Sequence, residues 1–80
     1  MDKNTIITKV NDFLVDEFEA EIEDLTPEAN LKETLELDSL DYVDLVVAVE
    51  SEFSVKLAAE DFVGVDTLDQ FYTLIDKKVN

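Results

Sequence analysis

Cysteine, histidine, tryptophan and arginine are absent from this chain of 80 residues, and glycine and proline occur once each. Without cysteine the chain forms no disulfide and no thiolate metal site, so any thiol chemistry has to come from an attached group. Without histidine, acid–base catalysis near neutral pH and imidazole metal ligation are nearly excluded. We therefore expect a protein that is not an enzyme and has no metal site of its own.

Positive charge is scarce as well. The six basic residues are all lysine and stand against 21 acidic residues, which gives a formal net charge of −15. Nucleic acids repel such a surface, so we expect neither DNA nor RNA as a partner. A solvated acidic surface and a surface that steers the protein toward basic patches both fit this charge.

Long apolar runs are also missing. No stretch has the length of a membrane span, and Met1-Asp2-Lys3-Asn4 leads directly into an amphipathic segment instead of a signal peptide. We expect a cytoplasmic protein without membrane association. The length predicts a single domain over residues 1–80, and we expect a monomer.

Apolar residues recur at helical spacing in three segments. The pattern predicts helices over residues 4–18 and 39–52, and a last helix that starts at a capping box formed by Thr67 and Gln70. A short helical piece is predicted at 58–63 and a long loop at 19–37. Because no strand alternation is present, we predict an all-α four-helix bundle with three longer helices, one short helix and a long first loop.

The predicted central helix carries two apolar stripes. One stripe has the spacing of a core face, and the second lies roughly a third of a turn away. This second stripe either packs under the 58–63 segment or faces a partner, and we expect part of each. The core stripe consists of Tyr42, Leu45, Val46, Val49 and Phe53, whereas the second consists of Leu40, Val43 and Val47 with Asp41, Asp44 and Glu50 around it.

Ser39 is the one serine of three that lies at the predicted start of a helix. Free N–H groups and the helix dipole favour an anion at this end, whereas Ser51 and Ser54 lie near the other end of the same helix. A simple capping role is the alternative for Ser39 and for Asp38.

The motif Asp38-Ser39-Leu40-Asp41 and the acidic, apolar helix behind it resemble the acyl carrier proteins. Residues 23–75 can be laid on typical members without a gap, including Ala29-Asn30-Leu31 and Glu52-Phe53. The resemblance implies that Ser39 is esterified to 4′-phosphopantetheine from coenzyme A, with help from Asp38. The thiol of this arm would carry acyl groups as thioesters to fatty acid, polyketide or related biosynthetic enzymes.

The same resemblance implies the partners. They are a phosphopantetheinyl transferase and acyl-transfer, condensing and modifying enzymes with basic docking patches. The residues expected to meet these patches are Leu40, Asp41, Val43, Asp44, Val47 and Glu50.

Three departures from the family pattern favour a specialised pathway at least as much as general fatty acid synthesis. Glu36 stands where members usually have glycine, and because a positive φ is unfavourable for glutamate we expect this loop to run differently. Ala58 replaces a common proline, and Glu50-Ser51 replaces an acidic pair. A peptidyl- or D-alanyl-type carrier and an acidic interaction module without an arm remain as alternatives.

Overall fold

The computed structural model describes the backbone of residues 1–80 and every side chain except that of Ala59. Its helices confirm the predicted all-α fold, and the first and central helices differ from the predicted bounds by one residue each. They are α1 (Lys3–Phe18), α2 (Leu31–Leu35), α3 (Ser39–Phe53) and α4 (Leu68–Val79), with 3₁₀ turns at Ile22–Asp24 and Ala59–Phe62.

The first loop, predicted over residues 19–37, contains a short helix that the sequence pattern did not reveal. The N-cap of α2 is Asn30, whose side-chain oxygen accepts a hydrogen bond from the Glu33 N–H at 2.9 Å. The loop is also bonded to the start of α4, since the Leu31 N–H donates to the Asp66 carbonyl at 2.8 Å. These bonds satisfy the backbone of a long connection that would otherwise be costly to order.

The core lies between α1, α3 and α4. Within it, the Tyr72 hydroxyl donates to Asn11 Oδ1 at 2.6 Å and so links α4 to α1. Burial raises the pKa of the Tyr72 hydroxyl, and the charge of Asp69 acts in the same direction, so this hydroxyl stays protonated as a donor. The most deeply buried side chains are Ile6, Val10, Leu14, Leu31, Leu45, Val49, Leu68, Phe71, Tyr72 and Ile75.

The short helical piece predicted at 58–63 is the 3₁₀ turn Ala59–Phe62. Asp61 closes its start, since Oδ2 accepts the Ala58 N–H at 2.8 Å, and Oδ1 of the same residue lies 3.6 Å from Nζ of Lys78 on α4. The Phe62 ring packs against Tyr42 of α3 and Phe71 of α4, and these contacts hold the turn against both helices.

Glu36 corrects one expectation from the sequence. It ends α2 with φ 53° and ψ 47°, the left-handed conformation that we expected glutamate to avoid. The reversal brings the Leu37 N–H to the Lys32 carbonyl at 3.0 Å and buries Leu37. Burial of this leucine offsets the strain at Glu36, so the left-handed turn forms here without a glycine.

Replacing Glu36 with glycine should stabilise the fold. The left-handed conformation destabilises a residue that has a side chain by roughly 1–2 kcal/mol. Glycine avoids this strain, but it loses more conformational entropy on folding, which costs roughly 0.5–1 kcal/mol. We therefore expect Glu36→Gly to raise the free energy of unfolding by about 0.5–1 kcal/mol, as measured by urea denaturation. Glu33→Gly, a matched change inside α2, should lower it. A loss of stability in Glu36→Gly would show that the left-handed backbone is not strained.

Candidate functional site

The start of α3 is held by a reciprocal pair of aspartates. Asp38 is the N-cap, and its Oδ1 accepts the N–H groups of Leu40 at 2.9 Å and Asp41 at 3.0 Å. In return, Asp41 Oδ2 accepts the Asp38 N–H at 3.0 Å. This capping box satisfies two N–H groups of the first helical turn without using the serine between its members.

Ser39 is the first residue of α3 and is exposed. Its hydroxyl takes no part in the capping box, so the simple capping role belongs to Asp38 and not to Ser39. One expectation needs correction. The N–H groups of Leu40 and Asp41 are already bonded to Asp38, so two of the first-turn donors that we expected to face a phosphodiester are occupied.

Ser51 and Ser54 lie at the opposite end of α3, as the sequence predicted. Ser51 is in the last turn, and Ser54 is the C-cap with φ 57°. Both side chains are exposed, but the carbonyl end of a helix disfavours an anion. Ser39 therefore differs from both by its position on the helix dipole.

The second apolar stripe of α3 is exposed. Leu40 retains 74% of its accessible surface, and Val43 and Val47 retain 59% each. Val43 and Val47 also line a groove with Leu57 and Phe62. That this stripe faces a partner stays a prediction. Leu40 does not line this groove and is the most exposed of the three.

This apolar groove begins at Ser39, is partly open to solvent and has a volume of about 270 Å³. From the sequence we assigned Tyr42 and Val46 to the core stripe. Both are half-buried and pack against the core, and they also form part of the groove wall. The i, i+3 spacing of Ser39 and Tyr42 was the available signal for a shared face. The groove is lined by Ser39, Tyr42, Val43, Val46, Val47, Leu57 and Phe62.

Acidic side chains border the opposite flank of α3. There a groove of about 400 Å³ separates α3 from the end of α1, and Glu17 of α1 faces it together with Asp41 and Asp44. The sequence pattern did not connect Glu17 with α3. Glu50 is exposed one helical turn before the end of α3, and α3 contains four acidic residues and no basic one. Glu17, Asp41 and Asp44 therefore make this groove negative. Glu50 instead lies about 120° around α3 from Asp44, beyond the second apolar stripe.

Comparison with known proteins identifies the family. Residues 9–75 match the family model described as "Phosphopantetheine attachment site". The chain is 32% identical over 80 residues to the acyl carrier protein of Petrotoga mobilis, covering all of this chain and 94% of that protein. It is 34% identical over 79 residues to that of Thermosynechococcus vestitus, covering 99% of this chain and 98% of that protein. The chain belongs to the acyl carrier protein family.

Membership in this family establishes the function in general terms. The chain is a carrier that uses covalently attached 4′-phosphopantetheine, and the family consists of non-catalytic carriers. Peptidyl- or D-alanyl-type carriage and an unmodified interaction module are not favoured. An exposed serine hydroxyl beside an apolar groove suits an arm of this kind. In the part of the chain that the structure describes, no helix is both long and apolar enough to cross a membrane.

The division of roles between Asp38 and Ser39 can be tested by stability. Asp38→Ala removes the acceptor of two first-turn N–H groups and should lower the free energy of unfolding by about 0.5–2 kcal/mol. Ser39→Ala removes a hydroxyl outside the capping box and should change it by less than about 0.5 kcal/mol. Urea titration followed by circular dichroism measures both. Equal losses in the two variants would contradict the assignment of the cap.

Proposed function

We propose that Ser39 is the residue that receives 4′-phosphopantetheine, and that residues 1–80 act as a single domain that presents acyl thioesters to biosynthetic enzymes. The observation that carries the proposal is the exposed Ser39 hydroxyl at the first position of α3, left free because Asp38 and Asp41 cap the helix. The arm supplies the thiol that this chain lacks.

Attachment is a transfer of a phosphoryl group to Ser39. In the proposed reaction the Ser39 oxygen forms a bond to the pantetheine phosphorus of coenzyme A, the pyrophosphate bond breaks, and the nucleotide leaves. The serine proton passes to a base on the transferase. Asp38 would assist because both of its capping bonds use Oδ1, which leaves Oδ2 outside them and available to the transferase's metal ion.

We further propose that α3 is the surface that partner enzymes recognise. Leu40, Val43 and Val47 offer a small apolar contact, which we call the apolar stripe. Carboxylates flank this stripe and can meet basic patches on a transferase or on acyl-transfer, condensing and modifying enzymes. A small mixed surface favours weak, repeated association, which a carrier needs at each step of a pathway. These flanking carboxylates, which we call the acidic rim, are Asp41, Asp44 and Glu50.

The proposed place of action is the cytoplasm, where coenzyme A is available to a transferase. The pathway is either general fatty acid synthesis or a specialised route. The departures from the family pattern at Ala58 and Ser51 favour a specialised route. Ala58 is the N-cap of the turn beside the apolar groove, and Ser51 stands on α3 where family members commonly have a second carboxylate.

The attachment site is tested by intact mass. Wild-type protein incubated with coenzyme A and a broad-specificity phosphopantetheinyl transferase should gain the mass of one phosphopantetheine. Ser39→Ala should gain nothing, because it lacks the accepting oxygen, whereas the matched control Ser51→Ala should be modified like wild type. Full modification of Ser39→Ala, or no modification of wild type, would refute the proposal.

The docking surface is tested by the salt dependence of two variants. Asp44→Lys should slow modification by the transferase at low salt by roughly tenfold, and the difference from wild type should shrink as salt rises, because screening removes the electrostatic steering. Val43→Asp should slow modification at all salt concentrations, because it places a charge in the apolar contact.

Two outcomes would contradict the docking surface. Circular dichroism must show that both variants retain their helices, and loss of the fold in Val43→Asp would place this residue in the core. Wild-type rates for Asp44→Lys at low salt with several partner enzymes would reduce the acidic rim to a solvated face. Glu28→Lys, the same change of charge in the first loop and away from α3, is the matched control.

A further inference from the structure

Two apolar grooves meet at Ser39 and share a pair of aromatic side chains. The apolar groove described above runs along α3, and a second groove of about 350 Å³ opens toward Val63, which is 83% exposed. Tyr42 and Phe62 line both grooves. An arm that extends from Ser39 along either groove therefore passes the rings of Tyr42 and Phe62.

The two rings belong to a stack that leads into the core. Tyr42 and Phe62 meet edge to face, with centroids 5.4 Å apart and planes at 66°. Phe62 in turn stacks on Phe71, at 6.0 Å and 25°. Phe71 is completely buried, so Phe62 stands between the grooves and the centre of the bundle. Edge-to-face and offset-stacked contacts are favourable aromatic geometries, which makes this arrangement a stable one.

We infer that the Tyr42–Phe62 pair prevents an acyl chain from entering the interior of the bundle. The pair thereby limits the length of acyl chain that the protein can shield from solvent. The inference rests on the proposed function, because it requires the arm that carries the cargo to be attached at Ser39. To enter the core, a chain has to separate Phe62 from both of its aromatic partners and open the packing around Phe71. The cargo instead lies in the apolar groove.

The size of the groove gives the class of cargo. The groove is partly open to solvent, and its volume of about 270 Å³ has room for at most about nine heavy atoms at the ~30 Å³ that a water-sized group occupies in a liquid. Val43, Val46 and Leu57 supply aliphatic walls for such a chain. The groove thus suits short- and medium-length acyl groups, whereas the distal part of a long chain stays in solvent.

The test measures how well the protein shields thioesters of increasing length. Wild type is loaded with butanoyl, octanoyl, dodecanoyl and hexadecanoyl phosphopantetheine, and the half-life of each thioester toward hydroxylamine is recorded together with the melting temperature. Both should rise from butanoyl to octanoyl and then level off. In Phe62→Leu, where the barrier is removed, the dodecanoyl form should be cleaved roughly tenfold more slowly than in wild type, as expected for about two more buried methylenes.

Controls separate the barrier from general loosening of the core. Phe53→Leu makes the same change at a buried ring of α3 outside both grooves and should keep the wild-type dependence on length. Tyr42→Leu removes the other ring of the pair and should act like Phe62→Leu, which covers the case in which Phe62→Leu does not fold.

The result that overturns the inference differs from the one that overturns the attachment site. Failure of wild type to accept the arm on Ser39 refutes the proposed function. Successful loading, with shielding in wild type that continues to rise up to hexadecanoyl, refutes the aromatic barrier alone. The same holds if Phe62→Leu and Tyr42→Leu both keep the wild-type dependence on length.

Discussion

The capping box of Asp38 and Asp41 is the interaction on which the rest of the site depends. It fixes where α3 begins, because Asp38 accepts the N–H groups of Leu40 and Asp41 while Asp41 accepts the N–H of Asp38. If serine were the cap, its hydroxyl would be engaged with the backbone, and modification would compete with the start of the helix. Because aspartate performs this task, an exposed serine hydroxyl and a stable helix start coexist at neighbouring residues.

The charge of the chain is arranged around the same helix. The ion pairs Lys3–Asp69 and Lys78–Asp61 lie on α1, α4 and the 3₁₀ turn, whereas α3 contains no lysine to neutralise its own carboxylates. Ion pairs that solvent reaches contribute little stability. Burial of the apolar core must therefore outweigh the repulsion that comes with a net charge of −15. The acidic surface is thus kept at a cost in stability, which fits a role in recognition better than a role in folding.

The parts of the fold that the sequence predicted are those with a strong local signal. The helical period located α1, α3 and α4, and the Thr67–Gln70 capping box marked the start of α4. The sequence did not reveal α2, because a helix of five residues is too short to show the helical repeat of apolar residues. This helix also depends on hydrogen bonds to the start of α4. It also misjudged Glu36, whose left-handed backbone is held by the burial of a neighbour, a tertiary effect that local preference cannot show.

The candidate site shows the same limit. The exposed apolar stripe was predictable because the period assigns each residue of α3 to a face. The groove was not, because Phe62 reaches α3 from a 3₁₀ turn whose docking depends on aromatic contacts, and Leu57 lines the groove from the connection before that turn. As a result Val47 belongs at once to the apolar stripe, the apolar groove and the acidic groove beside Glu17. A substitution there would alter the proposed cargo and partner surfaces together. Leu40 lines neither groove, so a substitution of Leu40 would test the proposed partner contact alone.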